Sequence, residues 1–285
     1  MNAYPHMLDS KLLTRDIRVL LVGAGGTGSR MLEKLVALHR ALLAKGHPKG
    51  LQVLVIDPDT VSVANIGRQA FYTGDIGAFK SDVLVNRANM ALGNTVWHSD
   101  PRRLDTKSSL DNYDLVIGAV DNRSARLGIL RGLENCAGGS RYWLDTGNRV
   151  DTGQVVLGQV PSRKRKTDAI DRLPHVAEFY PEIIDPSTEE EDDTPSCSLA
   201  EALDKQSLYI NATLSDFASN LLWMLFTQGG LDTHGAFINL RRMMVTPLRV
   251  DAQVWQRFGI NRDGTRHKVV RPSVVQRRRK TEEKT

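Results

Sequence analysis

The sequence predicts an α/β protein built on a doubly wound, mainly parallel sheet, and three observations carry that expectation. A short apolar run, "RVLLVG" (18–23), feeds a glycine turn; a helical pattern follows; a second apolar run, "LQVLVID" (51–57), ends in a carboxylate. A strand, helix, strand unit with an acidic residue closing its second strand is the mononucleotide-binding half of such a sheet. Further alternation of helices and strands downstream indicates the same α/β class.

Each element has its own reason. "RVLLVG" is short, apolar and β-branched, as a buried parallel strand is. From Thr27 onward, Met31, Leu35, Leu38 and Leu42 recur at helical spacing, and Gly46 followed by Pro48 stops the helix. "DLVIGAVDN" (114–122) is a further strand ending in Asp-Asn, and "RYWLDTGN" and "GQVVLGQV" supply two more. From 161 to 197 the chain turns proline-rich and charged, a long excursion over the surface. It exceeds an ordinary connection, which favours a functional role. "INATLSDFASNLLWMLFTQGG" (210–230) returns to helix, closed by two glycines, and "AFINLRRMMVTPLRV" (236–250) supplies late strands. No internal repeat is visible. The expected organisation is one domain over 1–250, with the crossover excursion at 161–197, and a basic tail over 251–285.

Composition bounds the class. With 285 residues, 41% hydrophobic and 25% charged, the chain is long enough to bury a full core and has the balance of a globular protein. The strongest apolar run, "LLWMLF" (221–226), is far too short to cross a bilayer, so no membrane partner is expected. The opening residues lack a basic-then-apolar secretory pattern, which leads to a cytoplasmic expectation. The two cysteines, Cys136 and Cys197, lie far apart and outside any C-x-x-C pair, so no zinc is expected. The net charge of +5 is concentrated in the tail, at Arg277, Arg278, Arg279 and Lys280. A solvated tail is favoured there over a contact to nucleic acid, and the acidic run "STEEEDD" (187–193) reads as a solvated loop.

The glycine turn is the first chemical signal. Gly23, Gly25 and Gly28 satisfy G-x-G-x-x-G, and Gly26 makes it G-x-G-G-x-G. Glycines let the chain bend sharply and approach a phosphate, while the following helix offers free backbone N–H groups. The turn alone says phosphate and leaves the nucleotide open. Asp57 stands where a carboxylate would meet a ribose, although further from Gly28 than the roughly 20 residues of the dinucleotide rule.

The next segment distinguishes the nucleotides. "IDPDTVSVANIGRQAFYTGDIGAFKSDVL" (56–84) resembles the superfamily of ThiF, MoeB and ubiquitin-activating enzymes: Asp-x-Asp, a valine, Asn-x-x-Arg-Gln, then Asp-Ile-Gly and a lysine. Dehydrogenases have no reason to place Arg68 and Lys80 there. A reaction that expels pyrophosphate does, because fixed cations stabilise the charge that builds on the leaving group. "VIGAVDNRSARL" (116–127) and "WLDTGNRVDTGQVVLGQV" (143–160) extend the resemblance, which covers 18–160.

The resemblance implies a Rossmann-like adenylation fold and ATP as the nucleotide, with Gly23, Gly25, Gly26, Gly28, Asp57, Asn65, Arg68, Gln69 and Lys80 as its contacts. It implies Mg2+ held with the help of Asp121, whose alternative is a helix N-cap. The implied reaction is adenylation of the C-terminal carboxylate of a small ubiquitin-like β-grasp protein, with Arg68, Lys80 and Asp121 as catalytic groups. Pro195, Cys197 and Ser198 are similar to the thioester-forming context of ubiquitin-activating enzymes. This implies Cys197 as an acyl acceptor for a conjugating-enzyme-like partner. Cys136 reads as core. The family also implies a homodimer, although only Arg15 and Arg18 precede the glycine turn as counterparts of the arginine that many members supply to a partner subunit. The variant segment is most similar to ThiF-family proteins of PRTRC-type systems. Two other readings are a non-catalytic, nucleotide-gated scaffold for the same partners and an NAD-dependent oxidoreductase resting on G-x-G-x-x-G and Asp57 alone.

Overall fold

The computed structural model describes residues 5–104, 107, 109–163, 172–188 and 207–260. Cys197 and the tail beyond Ile260 lie outside the described residues. The elements run β1 (His6–Met7), β2 (Ile17–Val22), α1 (Gly26–Ala44), β3 (Leu51–Ile56), α2 (Lys80–Leu92), β4 (His98–Asp100), β5 (Leu115–Gly118) and α3 (Arg123–Glu134). They continue with β6 (Arg141–Asn148), β7 (Thr152–Val160), α4 (Val176–Phe179), α5 (Ile210–Gln228), β8 (Gly230–Leu231), β9 (Thr233–Asn239), β10 (Met244–Arg249) and α6 (Ala252–Gln256). An 8-stranded sheet runs in the order β10-β9-β7-β6-β5-β2-β3-β4, and β1 pairs separately with β8.

The sheet has two halves. From β4 through β3, β2 and β5 to β6 the strands are parallel, whereas β6–β7, β7–β9 and β9–β10 are antiparallel. Strand β2 explains the layering, because its side chains alternate between two cores. Val19 and Leu21 join Met31, Leu35 and Leu38 of α1 and Leu214, Leu221 and Leu225 of α5. Leu20 and Val22 join Ile129 and Leu133 of α3 and Trp143 and Phe179 on the opposite face. Burial on both faces is why the run reads as continuously apolar. Helix α1 ends as its sequence predicts, with Gly46 at φ +91° just past the last turn.

The excursion after β7 is not wholly a surface feature. Within its described part, Leu173, Val176, Ala177 and Phe179 are buried against the sheet. Gly158 makes that possible, since a side chain there would stand 2.6 Å from the backbone nitrogen of His175. The segment lies directly on β7, and the N–H of Gln159 donates to the carbonyl of Leu173 at 2.8 Å. Among the described residues no helix is long and apolar enough to cross a membrane.

One buried histidine makes stability pH-dependent. His234 Nδ1 donates to the carbonyl of Leu157 at 2.7 Å, and its Nε2 accepts from the Trp255 indole N–H at 3.0 Å, an arrangement that requires the neutral ring. Burial holds its pKa down to about 4, against an ordinary 6.5. Between those values the unfolded chain binds a proton that the native ring refuses. Stability present above about pH 6.5 is therefore lost as pH falls toward about 4, by up to ~3 kcal/mol from this group. Urea midpoints near neutral and near acid pH should show this drop, and His234→Gln should flatten it.

Candidate active site

The site forms where the C-terminal ends of β2, β3 and β5 meet the start of α1. Gly23 has φ +94°, and a side chain on it would stand 2.9 Å from the carbonyl carbon of Ala119, just past β5. Gly28 lies in the first turn of α1, where a side chain would stand 2.8 Å from the carbonyl carbon of Gly23 and closer still to its oxygen. These two glycines therefore pack the helix start onto the strand ends. Gly26 faces Asn211 of α5, which also accepts from the Thr27 hydroxyl at 2.9 Å. Gly25 alone of the four opens onto free space, and no side chain caps α1. The uncapped helix start and the open glycine form a cradle that suits a phosphate.

Asp57 follows β3 and is buried, with Oδ2 accepting from the Ala24 N–H at 2.6 Å and Oδ1 from the Asp59 N–H at 2.9 Å. Burial pushes its carboxyl pKa up, while those two N–H groups and the nearby Lys80 charge hold it back. The carboxylate thus organises the glycine turn, whatever else it touches, and each oxygen retains capacity to accept again. Lys80 opens α2, nearly buried, and its Nζ donates to Asp59 Oδ2 at 2.9 Å.

Between them runs the segment 61–79, whose flanks meet where Thr60 bridges Phe79. Ser62 and Asn65 form a reciprocal cap, with Asn65 Oδ1 accepting from the Ser62 N–H at 2.9 Å. The Ala70 N–H donates to Ser29 Oγ at 3.1 Å, and Arg87 donates to the Ala70 carbonyl at 2.9 Å, which ties this segment to α1 and α2. Arg68 is half-buried; burial lowers its pKa and the negative charge of Asp121 opposes that shift. The Gln69 Oε1 atom is buried without a hydrogen-bond partner among the described residues.

Asp121 lies exposed beyond β5. It is not the cap of α3: Asn122 is, its Oδ1 accepting from the Ala125 N–H at 2.7 Å. Asp121 is thereby left to face solvent and Arg68, with its Oδ1 accepting from the Asn122 amide at 3.3 Å. Beneath it, Arg126 donates through Nη1 to the Asp121 carbonyl at 3.4 Å and through Nε to Asp145 Oδ1 at 3.1 Å. Asp145 is fully buried, and burial raises its pKa against the pull of Arg126. Cys136 is core, its thiol donating to the Gly132 carbonyl at 3.5 Å and its pKa raised by burial.

From Asp121 a groove of about 690 Å³ crosses the antiparallel half of the sheet, past Gly147, Asn148 and Gln154 to Phe237, Asn239 and Arg242. Asp57 thus meets the glycine turn and the Lys80 charge at the end of β3, Asp121 faces Arg68 beyond β5, and a channel leads away from Asp121. That arrangement suits a nucleotide phosphate chain with a hard cation, and a second, extended reactant.

The ThiF family model matches residues 8–228, well over half of the chain. The chain belongs to the ThiF family. Among curated relatives, this ThiF-family chain is 31% identical over 123 residues to the adenylyltransferase and sulfurtransferase UBA4 of Candida albicans, covering 42% of the chain and 26% of that protein. It is 34% identical over 112 residues to a sulfur carrier protein adenylyltransferase of Thermus thermophilus, covering 38% of each. The chain thus spans less than half the length of these relatives. In fold it is similar to the crystal structure of SeMet PaaA, with TM-score 0.53 and 15% identity, covering 82% of the chain and 64% of that one. This ThiF-family chain therefore has the Rossmann-like α/β fold its sequence predicts.

Sequence reasoning missed the Arg126–Asp145 pair, the Asn211 contact and the groove. One signal was available: a carboxylate interrupting the buried run "YWLDTG" cannot stay charged there without a partner. Asn211 lies 184 residues from Thr27 in sequence, and nothing local announces their contact.

Proposed function

We propose that this chain uses ATP to adenylate the C-terminal carboxylate of a small ubiquitin-like β-grasp protein. The single observation that supports the reading is the uncapped start of α1 with Gly25 open to free space, beside a turn that Asp57 holds through the Ala24 N–H. The family and the adenylyltransferase names of its relatives support the reaction class. A carboxylate oxygen bonds to the α-phosphorus as the bond to the bridging oxygen breaks, and pyrophosphate leaves with that electron pair.

The residues divide this work. The N–H groups of the glycine turn and the α1 start bind phosphate oxygens, and Asp57 adds a ribose contact to its hold on the turn. Asn65 and Gln69 orient the phosphates. Arg68 and Lys80 oppose the charge that develops on pyrophosphate, from a partly dry site where such charges count for more. Asp121 is the protein oxygen that would hold Mg2+, which fits an exposed carboxylate released from capping. The bound ion would neutralise phosphate charge. Downstream, the Cys197 thiolate attacks the acyl-adenylate carbonyl, AMP leaves as the thioester forms, and a thiol of a conjugating-enzyme-like partner then takes the acyl group and frees Cys197. The enzyme works as a cytoplasmic homodimer of the PRTRC type.

ATP–pyrophosphate exchange is the test, with a small ubiquitin-like β-grasp protein ending in a free glycine carboxylate as the probe. Exchange should require that protein's free terminal carboxylate and vanish when the tail is amidated. Cys197→Ser should keep the exchange and lose a reductant-sensitive conjugate. Exchange that ignores amidation contradicts adenylation of the tail, and a conjugate that persists in Cys197→Ser contradicts the thioester.

A further inference from the structure

The groove has a charge pattern that the adenylation chemistry does not use. Arg149, from the turn between β6 and β7, and Arg242, from the turn between β9 and β10, both line it. The two turns are neighbours, since Thr152 pairs with Asn239 and the Leu240 N–H donates to the Asp151 carbonyl at 2.8 Å. Both arginines are exposed, and among the described residues neither side chain forms an ion pair. The other cations of the groove are committed: Arg126 to Asp145, and Arg123 to the field of Asp185. The acidic groups that line the groove come from other elements, Asp121 just past β5 and Glu182 in the turn packed beside α3. On the same two turns Val150 and Met243 are 50% and 88% exposed, and Met243 is held at φ 51°. Cations without an acidic partner among the described residues, set beside exposed apolar side chains, fit a docking rim.

We infer that Arg149 and Arg242 select a substrate tail carrying an acidic side chain upstream of its terminal carboxylate. The inference rests on the adenylation reading for the direction in which the tail lies. Geometry sets the position of the acid. Strand β6 pairs Asp145 with Gly118, at the nucleotide end, and runs on to Arg149. Four residues of extended chain span ~13 Å, so a tail laid along β6 brings its residue about four positions from the end to the arginines. The partner is thus a protein whose extended C-terminus is acidic at that place, with an apolar surface on its body to meet Val150 and Met243.

Fluorescence anisotropy on the full chain tests this with labelled eight-residue peptides ending in Gly-Gly-carboxylate and bearing Glu, Gln or Lys fourth from the end. Titrations with and without Mg-ATP should both rank Glu above Gln above Lys, with Glu over Lys by about tenfold at low salt and less at high salt. The double variant Arg149→Glu with Arg242→Glu should reverse the order while Mg-ATP binding, measured calorimetrically, stays unchanged. Glu and Lys peptides that bind alike, peptides that do not bind at all, or a double variant that keeps the original order would overturn the inference. Failure of the wild-type chain to bind Mg-ATP is a separate result: it removes the adenylation reading, and the peptide ranking still decides what the arginines select.

Discussion

Gly28→Ala is expected to lower stability by about 3 kcal/mol, a fall in Tm of roughly 5 °C, and to abolish nucleotide binding in whatever fraction remains folded. The new methyl carbon would stand 2.8 Å from the carbonyl carbon of Gly23 and closer still to its oxygen. Both partners are backbone, and neither yields as a flexible side chain would. Relief requires α1 to move away from β2, yet Met31, Leu35 and Leu38 lock that helix into the core with Val19 and Leu21. The same movement pulls Ala24 from Asp57 and opens the cradle. Calorimetric melting checks the first effect and an ATP titration the second; an alanine variant with unchanged Tm would show that the helix start is not packed as described.

The second large effect lies under Asp121. Asp145→Ala should cost about 3 to 5 kcal/mol, because it leaves the Arg126 guanidinium buried without its carboxylate. Replacing both partners with apolar groups of similar size, Arg126→Met with Asp145→Leu, should restore most of that loss, since the desolvated charge then disappears. Restored stability should not bring restored nucleotide chemistry, because Arg126 also donates to the Asp121 carbonyl at 3.4 Å and the double variant lacks that donor. Urea denaturation of the two single variants and the double variant gives the coupling. A double variant no more stable than Asp145→Ala alone would contradict the assignment of the cost to an unpaired charge.

What could be read from the sequence follows from where each signal resides. The β2–α1–β3 unit was legible because its pattern is local: an apolar strand, a glycine turn, leucines at helical spacing and a closing aspartate. Lys80 and Arg68 were singled out through the order of motifs; in the fold Lys80 pairs with Asp59 and Arg68 lies in the field of Asp121. Asp57 was legible as the carboxylate closing the second strand, but its grip on the Ala24 N–H, 33 residues away, was not. Adjacent Asp121 and Asn122 are equally good caps on paper; only the turn into α3 decides that Asn122 takes the role. The packed stretch from Leu173 to Phe179 was hidden because its few apolar residues sit in a charged, proline-rich context, and its docking depends on Gly158 in another strand. Strand β10 has little alternation to read, since all but Leu248 of its residues are exposed. The groove arises from turns of separate hairpins and has no sequence signature of its own.

The central claim is that the cradle at Gly23–Gly28 holds ATP with a divalent cation at Asp121. Calorimetric titration of the purified chain with Mg-ATP and, separately, with NADH tests it most directly, with Asp121→Ala as the paired variant. The account predicts that Mg-ATP binds and NADH does not, and that Asp121→Ala weakens the magnesium-dependent binding by about tenfold or more, about 1.4 kcal/mol, without loss of fold. Binding of NADH in place of ATP, or Mg-ATP binding indifferent to Asp121, would contradict it.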